Sequence, residues 1–422
     1  MSIFYITRDI ERATGIDLER YPEINILANR SPLADLMYQK FPDKIILNEE
    51  GQLDTQDLLK HYAVHIEKKA PEPQILVFKN TQQIERFCEA RNWKLLNGAA
   101  GLSEKFERKI SQHEWLKTFD SPIEIPDTVI DRLENLKYQD LVERFGQPFI
   151  MQYNIGHTGE GTKHITSPYD LEQEIQKTPK RLVKVAKYLK GDVYTINACV
   201  CPNNIYLGQI SLQLTGLPDL TDNAFATVGN DWGRAREIYG ANSNAAAKDD
   251  EYIPAVASPS QPKDLAGQIE ALTRKLAQSM RDERWLGLFG VDVLVQEQTH
   301  KHYLIEINAR QPASCTFETQ LTHLQNAAGP LDWQLHCLAG LPLAYPERQV
   351  EIKAAQVFLR KSSGPIFEKY MGIKKVGEYD QNQNLIVEKP IFDLAPKSDK
   401  IFLSPRNTEK EIIRLQMTKF KL

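Results

Sequence analysis

The stretch "GVDVLVQEQTHKHYLIEINARQPAS", Gly290 to Ser314, decides how the rest of the chain reads. Two apolar runs with period-two alternation flank a polar turn, the pattern of a β-hairpin. In a strand, residues i and i+2 share a face. Val291, Val293 and Val295 therefore point one way and Asp292 the other, while Glu306, Asn308 and Arg310 fall on one face of the second strand in a row that Leu304 begins. Antiparallel pairing can set Asp292 opposite that row. Two carboxylates converging in a half-buried place raise each other's pKa unless a cation lies between them. An all-oxygen donor set suits Mg²⁺ or Mn²⁺, and the planar fork of Arg310 suits a phosphate or a carboxylate. The same residue types also suit a salt-bridged Glu306–Arg310 pair on a solvated strand face, so the hairpin alone leaves both readings open.

Composition narrows the frame. A chain of 422 residues exceeds one ordinary core and predicts several domains. Apolar content of 41% with 26% charged residues is that of a globular protein, and a net charge of −4 gives no general attraction to nucleic acid or to acidic membrane. The five cysteines (Cys88, Cys199, Cys201, Cys315, Cys337) are odd in number and scattered, which indicates buried reduced thiols rather than a disulfide framework or a zinc ribbon. Neither a signal peptide nor an apolar membrane span is visible, and a cytoplasmic protein is expected.

Up to about residue 100, short apolar runs such as "INILANR" (24–30) and "QILVF" (74–78) alternate with helix-period segments, predicting a parallel sheet covered by helices. A helix over 103–118 follows, with Ser103 as its N-cap. From 120 to 202, "QPFIMQYNIGHTGEGTKHI" reads as strand, glycine turn and strand, and "RLVKVAKYLKGDVYTINACVC" as two more strands around Gly191, which together predict a small antiparallel unit. Residues 203–262 read as irregular, with Gln213, Asn230, Asp231, Trp232 and Arg234 as polar and stacking groups fit for a substrate-facing loop, or for a packed loop anchored by Trp232. After Pro330 the pattern is helix, strands and a final helix from about 408.

With these pieces in order, "GVDVLV…YLIEINAR" resembles the metal-binding signature of the ATP-grasp superfamily, over about residues 95 to 320. The resemblance implies an α/β and α+β chain: a Rossmann-like leading (pre-ATP-grasp) domain over 1–119, a small ATP-grasp lid over 120–202, a large ATP-grasp subdomain with the metal site over 203–330, and a C-terminal extension over 331–422 packing on that core. It implies that Asp292, Glu306 and Asn308 hold Mg²⁺ against ATP phosphates and that Arg310 contacts the transferred phosphoryl or acyl group. By the same likeness Lys109 lies near the phosphates, the loop containing Gly156, His157, Gly159 and Gly161 closes over them, and Lys187, Tyr188 and Leu189 form the adenine hinge.

The chain also departs from the pattern. Gln152 stands where many members carry a lysine, and Asp192 is the nearest substitute for a ribose-binding glutamate in "GDV". Pro312 and Ser314 occupy places where the biotin carboxylase branch has Gln and Glu, which speaks against biotin carboxylation and puts Ser314 in an acyl-group pocket. The implied reaction joins a small-molecule carboxylate to an amine through an acylphosphate, with ADP and phosphate released. The alternative is a nucleotide-binding pseudoenzyme or regulatory subunit. Members of the superfamily are often homodimers.

Overall fold

The computed structural model describes residues 2–156, 161–240, 265–390, 401–408 and 411–418. The alternating first hundred residues form a parallel sheet of β1 (Ile3–Ile6), β2 (Ile24–Asn29), β3 (Ile45–Asn48), β4 (Gln74–Val77) and β5 (Lys94–Leu95), in the order β3-β2-β1-β4-β5. Its strands are buried on both faces, so they read as unbroken apolar runs. Ser31 and Thr81 start two of the covering helices by accepting the N–H groups of Ala34 and Ile84. The strand order reverses between β1 and β4, the crevice where open α/β sheets take ligands.

A four-stranded antiparallel sheet follows: β6 (Thr128–Arg132), β7 (Phe149–Tyr153), β8 (Thr162–Ile165) and β9 (Leu182–Lys187), ordered β6-β9-β7-β8. One face rests on its own small core, built around Leu141, Phe145, Phe149, Val183 and Val185.

The remaining strands make one large sheet: β10 (Gly191–Val200), β11 (Ile205–Leu207), β12 (Ser211–Thr215), β13 (Thr227–Asp231), β14 (Gly287–Gln296), β15 (His302–Asn308), β16 (Ala355–Leu359), β17 (Gly377–Tyr379), β18 (Leu385–Glu388), β19 (Ile401–Thr408) and β20 (Glu411–Met417). The path runs β15-β14-β10-β12-β13-β16-β20-β19-β17-β18, with β11 beside β10. The helix Leu265–Asp282 lies on this sheet through Ile269, Leu272, Leu276 and Met280, spaced three and four apart. Burying side chains of this size stabilises the fold by about 1.5–3 kcal/mol each.

Several local expectations give way. The predicted 103–118 helix is two, Ala100–Glu107 and Lys109–Leu116, broken where Arg108 turns extended (ψ 131°). Ser103 lies inside the first helix. The break is held from outside, since Asn154 at the end of β7 accepts the Ile110 N–H through Oδ1 at 3.1 Å. The strand β10, grouped in the sequence reading with the small unit, pairs with β14 over its whole length and belongs to the large sheet. The region read as irregular contains β11, β12, β13 and the helix Trp232–Gly240, while 241–264 lies outside the described residues. The helix expected from 408 is the strand β20: "EIIRLQM" buries Ile413, Leu415 and Met417 on one face, and period two prevails over period 3.6. Its other face sets Arg414 against Glu11 of the N-terminal unit at 2.7 Å, both nearly buried.

Candidate active site

The hairpin β14–β15 places Asp292 directly opposite Glu306, and Gly290 opposite Asn308. The register shifts between Asp292 and Val293, so Ile305 is an extra residue on β15. This corrects one detail of the sequence reading. Leu304 does not begin the polar row; it pairs with Val293 and joins Val291 and Ile307 in the core. The bulge allows Leu304 to stay in the core while Glu306 and Asn308 turn to the opposite face.

The residues named for the metal converge. Asp292 Oδ1 accepts from Thr195 Oγ1 at 2.7 Å, and Asn308 Nδ2 reaches Asp292 Oδ2 at 3.4 Å. Lys109 Nζ lies 2.5 Å from Glu306 Oε1. Burial, then the neighbouring charge of Glu306, pushes the Asp292 carboxyl up to about 6. Three oxygen-bearing side chains around one spot, with a carboxylate held in unfavourable low-dielectric surroundings, fit a hard divalent cation. Arg310, just past β15, donates from Nη1 to Asn308 Oδ1 at 2.8 Å and pairs with Glu107 at 2.7 Å, and Glu107 also pairs with Lys79 at 2.7 Å. The next residue, Gln311, donates its N–H to Phe78 O at 3.0 Å and accepts from Tyr5 Oη at 2.6 Å. The end of the hairpin is thus fastened to β1 and to the segment just past β4, where the strand order of the N-terminal sheet reverses.

Sequence reasoning missed a further cation. Lys184 on β9 stands opposite Gln152 on β7, with Val183 and Val185 turned into the small core on the other side. Lys184 is almost wholly buried, and burial followed by the positive charge of Lys109 brings its amine down to about 8, with Glu306 acting the other way. The signal was present in the sequence, as a lysine flanked by two valines on a strand whose other face is core. Gln152 itself donates to Thr162 Oγ1 at 3.3 Å.

Gly156 and Gly161 approach each other closely between β7 and β8: a Cβ on Gly156 would lie 2.6 Å from Gly161 Cα. His157 and Gly159 lie outside the described residues. Lys187 ends β9, and Tyr188, Leu189 and Lys190 carry the chain from the small sheet to the large one. Tyr188 stacks at a tilt on His164 with ring centroids 4.6 Å apart. Asp192 is exposed at the start of β10, opposite Val295.

Ser314 opens the helix Ser314–His323 and is buried rather than open to a cleft. Asn197 Nδ2 donates to Ser314 Oγ at 2.9 Å and to Glu318 Oε2 at 2.6 Å, and the Gln209 N–H donates to Glu318 Oε1 at 2.6 Å. Burial pushes the Glu318 carboxyl up to about 7, and Gly208 leaves room for it: a Cβ there would sit 2.3 Å from Glu318 Oε1. Of the group read as a substrate loop, Gln213 reaches the site, donating to Thr195 Oγ1 at 3.3 Å. Asn230 donates to Ser211 Oγ at 3.0 Å, Asp231 accepts the Arg234 N–H at 2.8 Å, and Trp232 is buried against Phe317.

This arrangement of a parallel leading sheet, a small antiparallel sheet and a large sheet bearing the acidic hairpin is the ATP-grasp fold. Among solved structures the chain is similar over 100% of its length to N5-carboxyaminoimidazole synthetase from Staphylococcus aureus complexed with ADP (TM-score 0.59, 12% identity, 93% of that chain). It is similar over 99% to N5-carboxyaminoimidazole ribonucleotide synthetase from Thermus thermophilus (0.57, 11%, 94% of that chain). The biotin carboxylase domain dimer of the Hydrogenobacter thermophilus 2-oxoglutarate carboxylase, in complex with MgADP, ADP and bicarbonate, matches 99% of this chain and 86% of its own (0.61, 11%). No family model matches. A curated relative, the Shedu protein SduA of Bacillus cereus, is 36% identical over 103 residues, and the match takes in about a quarter of each protein (23% of this chain, 25% of that one). Among the described residues no helix is long and apolar enough to cross a membrane.

Proposed function

We propose that the chain is a Mg·ATP-dependent ligase that activates a small-molecule carboxylate as an acylphosphate for attack by an amine. The observation that carries this reading is the convergence of Asp292, Glu306 and Asn308 with three cationic groups, Lys109, Lys184 and Arg310, beside the junction of the two antiparallel sheets. Asp292, Glu306 and Asn308 would hold Mg²⁺, which when bound neutralises phosphate charge. Mn²⁺ suits the same oxygens.

The described residues contribute mainly position and charge. Lys109 and Lys184 receive the phosphates from two sides, and the glycine turn at Gly156 and Gly161 closes over them. The turn at Tyr188 and Leu189 offers backbone groups to the base, and Asp192 is the nearest carboxylate for a ribose hydroxyl. Arg310 is anchored by Asn308 and Glu107, so its fork can address the acid as its oxygen attacks the γ-phosphorus and the bond to ADP breaks. The amine then adds at the acyl carbon, and phosphate leaves as the amine proton passes to solvent. The crevice at the reversal between β1 and β4, next to Arg310 and Gln311, suits the acceptor. Ser314, together with Asn197, supports the floor of this region from beneath. A homodimer acting in the cytoplasm is consistent with the reading.

The test is an ADP-release screen of small acids paired with amines, with products followed by mass. Turnover that depends on both partners and vanishes in Glu306→Gln is expected. Nucleotide binding without turnover for any pair would favour a regulatory nucleotide-binding role, the reading that Gln152 and Val193 support.

A further inference from the structure

Three of the five cysteines meet at the end of β10 away from Thr195. Cys199 lies on that strand and Cys201 one residue past its end, and Cys337 reaches them from the helix Pro330–Ala339, so that all three sulfurs lie within 4.8 Å of one another. Cys199 and Cys201 are buried and Cys337 is half-buried. Among the described residues this is the one cluster of metal-ligand type holding sulfur.

We infer that Cys199, Cys201 and Cys337 bind one zinc ion as thiolates, with the fourth position open to solvent on the Cys337 side. The donor set is soft and all sulfur, which selects zinc over the hard cation suited to Asp292 and Glu306. Chelation by residues i and i+2 of a strand is easy because both point the same way. A disulfide between them is not, since an extended strand holds their Cα atoms roughly 6.6 Å apart, near the upper limit for a bridge.

The Gly287 N–H donates to Cys337 and Arg281 places positive charge near Cys201, while the Cys337 thiol donates to the Val200 carbonyl at 3.0 Å, a bond that turns the side chain toward the strand and is given up as the ion takes the thiolate. Three thiol protons would pass to solvent as the ion binds. The ion would fasten the helix Pro330–Ala339 to the strand whose other residues on this face, Thr195 and Asn197, hold Asp292 and Ser314. The sequence could not show this site, because the third sulfur comes from a distant segment with no ribbon spacing.

The full-length protein, purified without chelator and with any affinity tag removed, is assayed for metals. It is then stripped under reducing, anaerobic conditions and reloaded with Zn²⁺ or Co²⁺. Close to one zinc per chain is expected, with intense thiolate-to-cobalt absorption on reloading and release of the zinc by a mercurial. Cys337→Ser, at the least buried position, should lose the ion, while Cys88→Ser and Cys315→Ser keep it. Should the Cys337 variant not fold, mercurial titration of the wild-type chain still decides, by showing how many thiols the zinc protects. Failure of the reduced protein to take up either ion, a disulfide among the three in freshly isolated protein, or equal binding by Cys337→Ser would overturn the assignment.

Discussion

Lys184 and Gln152 face each other across the pair β9–β7, and the buried amine of Lys184 lies within electrostatic reach of Lys109 and Glu306. Under the proposed function, Lys184 would stand in for the lysine that many ATP-grasp members carry at the place of Gln152. A phosphate between Lys109 and Lys184 would meet two cations, as it would if position 152 were itself basic.

Removing that charge should be costly. Lys184→Met is expected to lower kcat/KM for ATP by about 10- to 100-fold, in line with roughly 1.5–3 kcal/mol for a hydrogen bond to a charged group. The exchange Gln152→Lys with Lys184→Gln should recover most of the loss. Steady-state kinetics of the two variants decide the matter, and an unchanged Lys184→Met would remove this lysine from the phosphate site.

The same lysine sets a pH dependence. Its amine is pushed down to about 8, so the charged form that favours phosphate declines as pH rises through 8. Nucleotide affinity measured calorimetrically should weaken from pH 7 to 9 in the wild type and flatten in Lys184→Gln.

Fold stability, too, falls with rising pH, through Glu318. Its carboxyl is raised from 4.5 to about 7 by burial, so the native state keeps a proton that the unfolded chain gives up at lower pH. Its contribution to stability is present below about pH 4.5 and is lost as pH climbs through 7, by at most about 3 kcal/mol. Glu318→Gln should keep the Asn197 contact and remove that slope, as read from denaturant midpoints at pH 5 and 8. An identical slope in the variant would place the proton elsewhere.

On the proposed reading Glu306→Gln should abolish turnover, because the carboxylate that would hold Mg²⁺ loses its charge while the hairpin stays paired. Thermal shift by nucleotide is the control: stabilisation of about 2.7 kcal/mol is expected at a hundredfold excess over Kd. The magnesium-dependent part of that shift should disappear in the variant.

The ion pair between Arg414 and Glu11 joins β20 to the N-terminal unit, and Ser404 Oγ donates to the same carboxylate at 2.8 Å. Arg414→Leu, which leaves Glu11 buried without this partner, should cost about 3–5 kcal/mol, measured by urea unfolding. A loss below about 1 kcal/mol would mean that water reaches the carboxylate.

What could be read from the chain divides along physical lines. The hairpin was legible because valines on one face and acids on the other leave no second arrangement that buries the former. The leading sheet was legible because parallel strands buried on both faces are plain apolar runs between capped helices. The bulge at Ile305 was not, since one extra residue leaves the alternation of letters intact while reversing which face Leu304 takes. Nor was the fate of "EIIRLQM", whose short amphipathic pattern suits either period until its partners β16 and β19 are in place. Asn197 and Glu318 carried no local sign, because their roles depend on segments far apart in sequence meeting in the interior.

The position of β20 bears on how the protein is made. It is hydrogen-bonded on both sides, to β16 and to β19, so it fills the interior of the large sheet instead of trimming its margin. On the ribosome the hairpin and the leading sheet can assemble early, yet the β16 flank stays unmated until residue 417 has emerged from the exit tunnel. Over that interval an open apolar flank is exposed to aggregation and to chaperones, and a nascent chain stalled a few residues short would carry a gap through the middle of its largest sheet.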